Sequence, residues 1–330
     1  MAKKVLILPG DGTGPAVIGA AKQVLQEATG GLELLDGEIG ESAFRRTGRA
    51  LPAETVSLLA EADAAISGHT DTSRLGMRNP LEDVRRQMNL FQEVRPLQHI
   101  CSYLGSQKTN CLLITESPDS LPPVREYSTL YGITKECDLS SEAAGELFSA
   151  ACSTALSFGR SKACLVRGNG GEPESDRLLT QAFEKAFKDS GMETDIMSEE
   201  KVACRLALDP SEFDVLVSGP DPAGFLRGML SGMIGGSGLT PVAFIGKDFG
   251  LFMPSRGFGE VSPYRPENPT AAILAAAMAL RHLGLAKEAL RVENAVYAMY
   301  EEHKITRDLG GKTEPGPFVQ GVIAHMHDGE

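Results

Sequence analysis

Short apolar runs separated by stretches of helical periodicity decide the fold class of this chain. Lys4 to Leu8 form the first run, which ends at Pro9-Gly10-Asp11-Gly12-Thr13-Gly14-Pro15 before Ala16 to Ala28 repeat apolar residues at helical spacing. Ala62 to Ser67, Cys111 to Thr115, Ala163 to Val166, Phe213 to Val217 and Val242 to Ile245 are further runs of the same kind. Such runs suit strands of a parallel sheet that helices cover on both faces. Helical spacing predicts helices around 54–62, 80–90, 141–157, 174–190, 269–283 and 286–302. Strands alternating with amphipathic helices define an α/β architecture. Glu116 to Lys135 holds three prolines among mixed polar residues and reads as a long loop or arm. At 330 residues the chain exceeds what one core supports, so two lobes are expected.

Charge narrows the partners. Lys and Arg number 32 against 44 Asp and Glu, a net charge of −12 at pH 7, and such a field repels nucleic acid and anionic membranes. A local basic pocket for a small anion stays compatible with it. No stretch of about 18 apolar residues is present, so no membrane-spanning helix is expected. Met1-Ala2-Lys3-Lys4 leads into an apolar run too short for a signal peptide, and a cytoplasmic location is expected. The six cysteines (101, 111, 137, 152, 164 and 204) form no CxxC pair and read as small buried hydrophobes in a reducing compartment. His325 and His327 read as solvated residues of a frayed tail. Histidines 69, 99, 282 and 303 have no ligand spacing, and no Ser-His-Asp order or nucleophile elbow occurs.

The glycine-rich turn at 10–14 lacks the spacing of a dinucleotide fingerprint and the lysine and hydroxyl of a phosphate loop. A strand-to-helix turn needs glycine for its backbone angles whatever it binds. Gly168-Asn169-Gly170-Gly171 before a helix suits a phosphate or a plain loop turn equally.

Placed in order along the chain, several segments nevertheless form a series. Leu8-Pro9-Gly10-Asp11-Gly12-Thr13-Gly14-Pro15 resembles the opening of the isocitrate and isopropylmalate dehydrogenases, the metal-dependent β-decarboxylating family. Asn79 to Pro96 resembles the family's substrate-arginine segment, and Phe213 to Val217 with Ile234 to Leu239 its metal region. Asn268 to Leu274 and Thr306 to Gly311 are similar to its C-terminal cofactor region.

The resemblance implies a two-lobed isocitrate/isopropylmalate dehydrogenase-like α/β fold with a discontinuous large lobe. Residues 1–97 and 241–330 would form that lobe, and 98–240 a small lobe with the dimer contact. It implies oxidation of a 2-hydroxy di- or tricarboxylate by NAD or NADP, then metal-assisted loss of carbon dioxide, in a homodimer with shared active sites. A polyanionic substrate needs fixed cations, and Arg85 and Arg95 stand at two of the family's substrate arginines. Counting along the strand puts the third on Thr115, followed by Glu116. A second register puts it on Arg125, with Tyr131 at the proton-donating tyrosine.

The family's metal and base positions depart from its pattern. Its two helix aspartates fall on Gly224 and Gly228, with Asp221 one turn early, and its third carboxylate falls on Glu200. Magnesium or manganese needs hard oxygen ligands, so a metal is doubtful here. The lysine base falls on Arg167, which stays protonated at neutral pH but can still bind an anion. The adenine-loop histidine becomes Arg256, and the glutamate after Pro15 becomes Ala16. Asn268 and Asp308 match cofactor positions, and would serve equally as a helix N-cap and a loop turn.

Scaffold retained and chemistry removed predict a catalytically impaired relative, a regulatory or structural subunit or a carboxylate or nucleotide binder. It would form a homodimer or a hetero-oligomer with a related catalytic subunit. The alternative is an active but rewired NAD(P)-dependent oxidoreductase on an isocitrate- or isopropylmalate-like acid.

Overall fold

The computed structural model describes residues 2–106, 108–120, 125–136, 138–168, 174–255 and 268–328. In chain order it begins with β1 (Lys3–Leu8), α1 (Gly14–Ala28), β2 (Leu32–Asp36), α2 (Glu41–Thr47), α3 (Ala53–Glu61), β3 (Ala64–Ser67), α4 (Pro80–Gln87) and β4 (Gln92–Gln98). Next come β5 (Asn110–Glu116), β6 (Arg125–Thr129), β7 (Gly132–Glu136), α5 (Ser141–Ser157), β8 (Lys162–Arg167), α6 (Glu174–Phe187), β9 (Glu193–Ser198) and α7 (Glu199–Leu208). They are followed by β10 (Val215–Ser218), α8 (Pro220–Met233), β11 (Pro241–Ile245), β12 (Gly250–Pro254), α9 (Thr270–His282), α10 (Ala286–Glu301) and α11 (Pro315–His327). The chain divides into a discontinuous unit, Met1–Leu90 with Gln98–Gln107 and Ser231–Glu330, and a central unit, Phe91–Leu97 with Lys108–Leu230.

In the discontinuous unit the strands lie in the order β2-β1-β3-β12-β11. β1 pairs parallel with β2 and β3, β3 parallel with β12, and only β11 turns back against β12. One core cluster joins Leu6, Leu8, Leu59 and Val84 to Phe244, Leu251 and Met253, so the two ends of the chain share an interior. Helix α9 is buried at every residue from Thr270 to Leu280, as expected of a helix apolar all round, and it packs on α1, α10 and β12. Its alanines let these neighbours approach closely.

The central unit carries the strand order β4-β5-β10-β8-β9. β5, β10, β8 and β9 are parallel, and α5 packs on α6 through Phe148, Phe183 and Phe187. No helix among the described residues is long and apolar enough to cross a membrane.

Three expectations change. Within the stretch read as a loop or arm, Arg125–Thr129 and Gly132–Glu136 pair as an antiparallel hairpin, because β-branched and aromatic residues recur on both sides of a glycine-containing turn. His325 and His327 occupy the last turn of α11 rather than a frayed tail, 3.4 Å from Glu302 and 3.5 Å from Glu27. Cys204 is exposed on α7, whereas Cys101, Cys111, Cys152 and Cys164 are buried; Cys137 lies outside the described residues. Burial pushes the Cys111 and Cys164 thiols up to about 12, which makes them inert.

Candidate functional site: an arginine cluster at the strand ends of the central unit

Parallel pairing brings Thr115 level with Ser218 and Ser218 level with Val166, so β5, β10 and β8 end side by side, with Arg167 next on β8. The carboxyl ends of parallel strands are where α/β sheets hold their ligands. The Ser117 amide donates to the Phe91 carbonyl at 2.8 Å, which lays the start of β4 beside the end of β5. Glu93 on β4 is thereby buried to 2% exposure among these ends.

Two guanidinium groups meet on that carboxylate. Arg95 Nε donates to Glu93 Oε1 at 2.5 Å. Arg227 Nε, from α8, lies 2.8 Å from the same oxygen as an ionic contact whose N–H is not aimed at it. Arg227 Nη2 also donates to Thr115 Oγ1 at 3.3 Å. Burial depresses the Arg227 pKa, Glu93 raises it and Arg95 lowers it further. An arginine so shifted still stays charged at neutral pH. Glu116, beside Thr115 in sequence, is half-buried, and burial raises its carboxyl pKa against the opposing hydrogen bond from Ser120.

The residues anticipated from sequence fall in several places. Arg95 and Thr115 belong to the Glu93 cluster. Arg85 is in the discontinuous unit, on α4, which Asn79 caps by accepting from the Leu81 amide at 2.9 Å; its guanidinium lies 4.6 Å from the centre of the Phe244 ring. Arg125 is on β6 and pairs with Asp138 at 2.5 Å, and Tyr131 at the hairpin tip is 99% exposed. Thr115 rather than Arg125 is therefore the residue beside Glu93. Arg167 is half-buried and its Nε has no hydrogen-bond partner among the described residues. Glu200 is exposed in the first turn of α7.

Gly224 and Gly228 are exposed on α8, and a Cβ at either would meet no described atom within 4 Å. Among the described residues no three His, Cys, Asp or Glu side chains group as a metal site. Where a divalent ion would need carboxylates, the described side chains of α8 offer two bare glycines and the Arg227 guanidinium, and the Asp221 side chain lies outside the described residues. These residues do not fit magnesium or manganese.

The two cofactor candidates of the discontinuous unit do meet. Asn268 Nδ2 donates to Asp308 Oδ2 at 3.1 Å, the Thr306 hydroxyl donates to Asp308 Oδ1 at 2.5 Å, and Asn268 Oδ1 accepts from the Thr270 amide at 3.0 Å. Asp308 is exposed, and each of its oxygens keeps a lone pair to which a ribose hydroxyl can donate. Arg256 and Asn169 to Gly171 lie outside the described residues.

The glycine-rich turn is explained without a ligand. Asp11 Oδ2 accepts from the Glu41 amide at 2.8 Å and the Asp71 amide at 2.9 Å, and Oδ1 from the Ser42 amide at 3.1 Å. A Cβ on Gly10 would sit 2.3 Å from the His69 carbonyl oxygen, and one on Gly14 2.2 Å from that of Pro9. The glycines allow close chain crossing, and Asp11 occupies the start of α2 with its own negative charge.

Arg227 and Glu93 are functional candidates that sequence reasoning missed. The one available signal was a matched loss and gain: a strand position expected to hold arginine carries Thr115, while arginine stands next to Gly228.

A family model described as isocitrate/isopropylmalate dehydrogenase matches residues 4–127 and 131–321. The chain is 30% identical over 330 residues to the isocitrate/homoisocitrate dehydrogenase of Thermus thermophilus, covering 98% of each chain. It is 28% identical over 331 residues to the 3-isopropylmalate dehydrogenase of Methanothermobacter thermautotrophicus, covering 98% of this chain and 99% of the other. The fold is similar to the crystal structure of a beta-decarboxylating dehydrogenase from Thermococcus kodakarensis, with a TM-score of 0.89 at 22% identity, covering 99% of this chain and 96% of that one.

Proposed function

Since the chain belongs to the isocitrate/isopropylmalate dehydrogenase family, we propose that it keeps the family's carboxylate binding and has given up metal-assisted decarboxylation. It would act as a regulatory or structural subunit, or as a carboxylate or nucleotide binder. One observation carries this reading: α8 offers Gly224, Gly228 and the Arg227 guanidinium where oxygen ligands are needed. Loss of carbon dioxide leaves an enolate, and a metal ion stabilises its developing charge by several kcal/mol. Arg167 adds to the argument, because a guanidinium cannot take the proton of a substrate hydroxyl at neutral pH. What these side chains can do is bind: arginine matches the planar geometry of a carboxylate and excludes water from it.

The test is turnover. The purified chain is given isocitrate, homoisocitrate or 3-isopropylmalate with NAD or NADP and manganese, and nicotinamide reduction is followed by absorbance. No turnover is expected from the natural sequence, and the combined variant Arg167→Lys, Gly224→Asp, Gly228→Asp is expected to gain it. Robust turnover by the natural chain overturns the proposal.

A second reading is an active, rewired NAD(P)-dependent oxidoreductase. It is favoured by full-length similarity to relatives named as dehydrogenases and by the accessible Asp308 carboxylate. Turnover that persists in EDTA would support it. Either reading accommodates a homodimer or a hetero-oligomer with a related catalytic subunit, which native mass spectrometry of the protein from its own source distinguishes.

A further inference from the structure

We infer that Glu93 is a built-in competitor: its carboxylate occupies Arg95 and Arg227 and holds off any free carboxylate, an autoinhibitory contact within the central unit. The inference rests on the carboxylate-binding reading above and adds a regulation of that same site.

Convergence is the first observation. Arg95 comes from β4 and Arg227 from α8, yet both Nε atoms approach the same Glu93 oxygen, Oε1, at 2.5 Å and 2.8 Å. The point between two guanidiniums on separate elements is where a free carboxylate would draw most from both. Glu93 already stands there, buried to 2% exposure. A second negative charge brought beside it meets a repulsion that little water screens.

Connectivity is the second. Glu93 and Arg95 are two residues apart on one strand, so their side chains leave β4 on the same face. A ligand tied to its receptor in this way competes at a high effective concentration, which a dissolved anion must exceed. Side-chain exposures of 13% for Arg95 and 25% for Arg227 leave the guanidiniums little water as an alternative partner. The internal carboxylate therefore has the advantage over a free one.

Neither arginine depends on Glu93 alone for its place. Arg227 Nη2 donates to Thr115 Oγ1 at 3.3 Å, while its Nε–H is not aimed at the carboxylate. Arg95 makes a further interaction besides its bond to Glu93. Both cations keep a partner when residue 93 loses its charge, so the change that unmasks the site leaves its arginines held.

Isothermal titration calorimetry of the full chain with isocitrate and 3-isopropylmalate tests the inference. Glu93→Gln keeps the length of the side chain without its charge. It is expected to bind at least one of these anions about tenfold more tightly than the natural protein, or more. Binding that appears only in the variant supports the inference equally. Glu93→Ala leaves a gap the size of a carboxylate between the guanidiniums, and supplies the test where the glutamine variant does not fold. Acetate, unlike chloride at equal ionic strength, is expected to fill that gap and raise the denaturation midpoint of Glu93→Ala, with no such effect on the natural protein. Equal or weaker anion binding by Glu93→Gln, or no recovery of Glu93→Ala in acetate, overturns the inference and leaves carboxylate binding standing. Failure of both the natural protein and Glu93→Gln to bind either anion overturns both.

Discussion

Asp11 and Asp308 in the discontinuous unit and Glu93 in the central unit are all carboxylates held by several donors, yet the donors differ in kind. Asp11 takes three backbone amides, and Asp308 takes a threonine hydroxyl and an asparagine amide. Each knits neighbouring loops together with neutral groups. Glu93 instead meets two guanidiniums, those of Arg95 and Arg227. The first arrangement is anchored within the fold by neutral donors. The second sets a buried carboxylate among cationic side chains. Asp11 and Asp308 of the discontinuous unit thus have a structural use already.

The contrast breaks most sharply at Glu93. Glu93→Ala removes the anion shared by Arg95 and Arg227 and is expected to destabilise the protein by about 3 kcal/mol or more, read from the shift in denaturation midpoint. A shift near zero would mean the arginines are effectively solvated, and the distinction between the units would vanish. Asp11→Ala leaves three amides without their acceptor and should cost about 2 kcal/mol, with no change in anion affinity. An affinity change there would make the glycine-rich turn part of a binding site after all. Gly224→Ala and Gly228→Ala sharpen the contrast from the other side, each expected to stabilise α8 by about 1 kcal/mol because open space surrounds both positions. Destabilisation by either would show that something approaches the helix there.

Much of the fold was legible because buried parallel strands advertise themselves as unbroken apolar runs. β1, β3, β5, β8, β10 and β11 were found that way. β2 and β9 were not, since Leu32–Asp36 and Glu193–Ser198 lie at the outer edges of their sheets and are only part-buried, which thins the apolar signal. Helix α8 hides behind prolines and glycines that usually punctuate chains. At the candidate site, motif order singled out Arg95 and Thr115 only as positions. It could not find their organisation, because Arg227 meets Thr115 across 112 residues of chain and no local pattern records such a contact. Asn268 and Asp308 were legible as positions, but their mutual hydrogen bond was not, because 40 residues of chain separate them.

The division of the chain also sets a timetable for synthesis. β1, β3 and their neighbours emerge from the ribosome before the central unit, but the strand on the other side of β3 is β12, and the helix that covers them is α9. The core they share with Phe244, Leu251 and Met253 has no second half until those residues are made. Nearly all of the central unit, from Lys108 to Leu230, is translated during that wait and can close on itself. The strands made before the central unit are therefore buried only after it, and their apolar faces stay open for the interval.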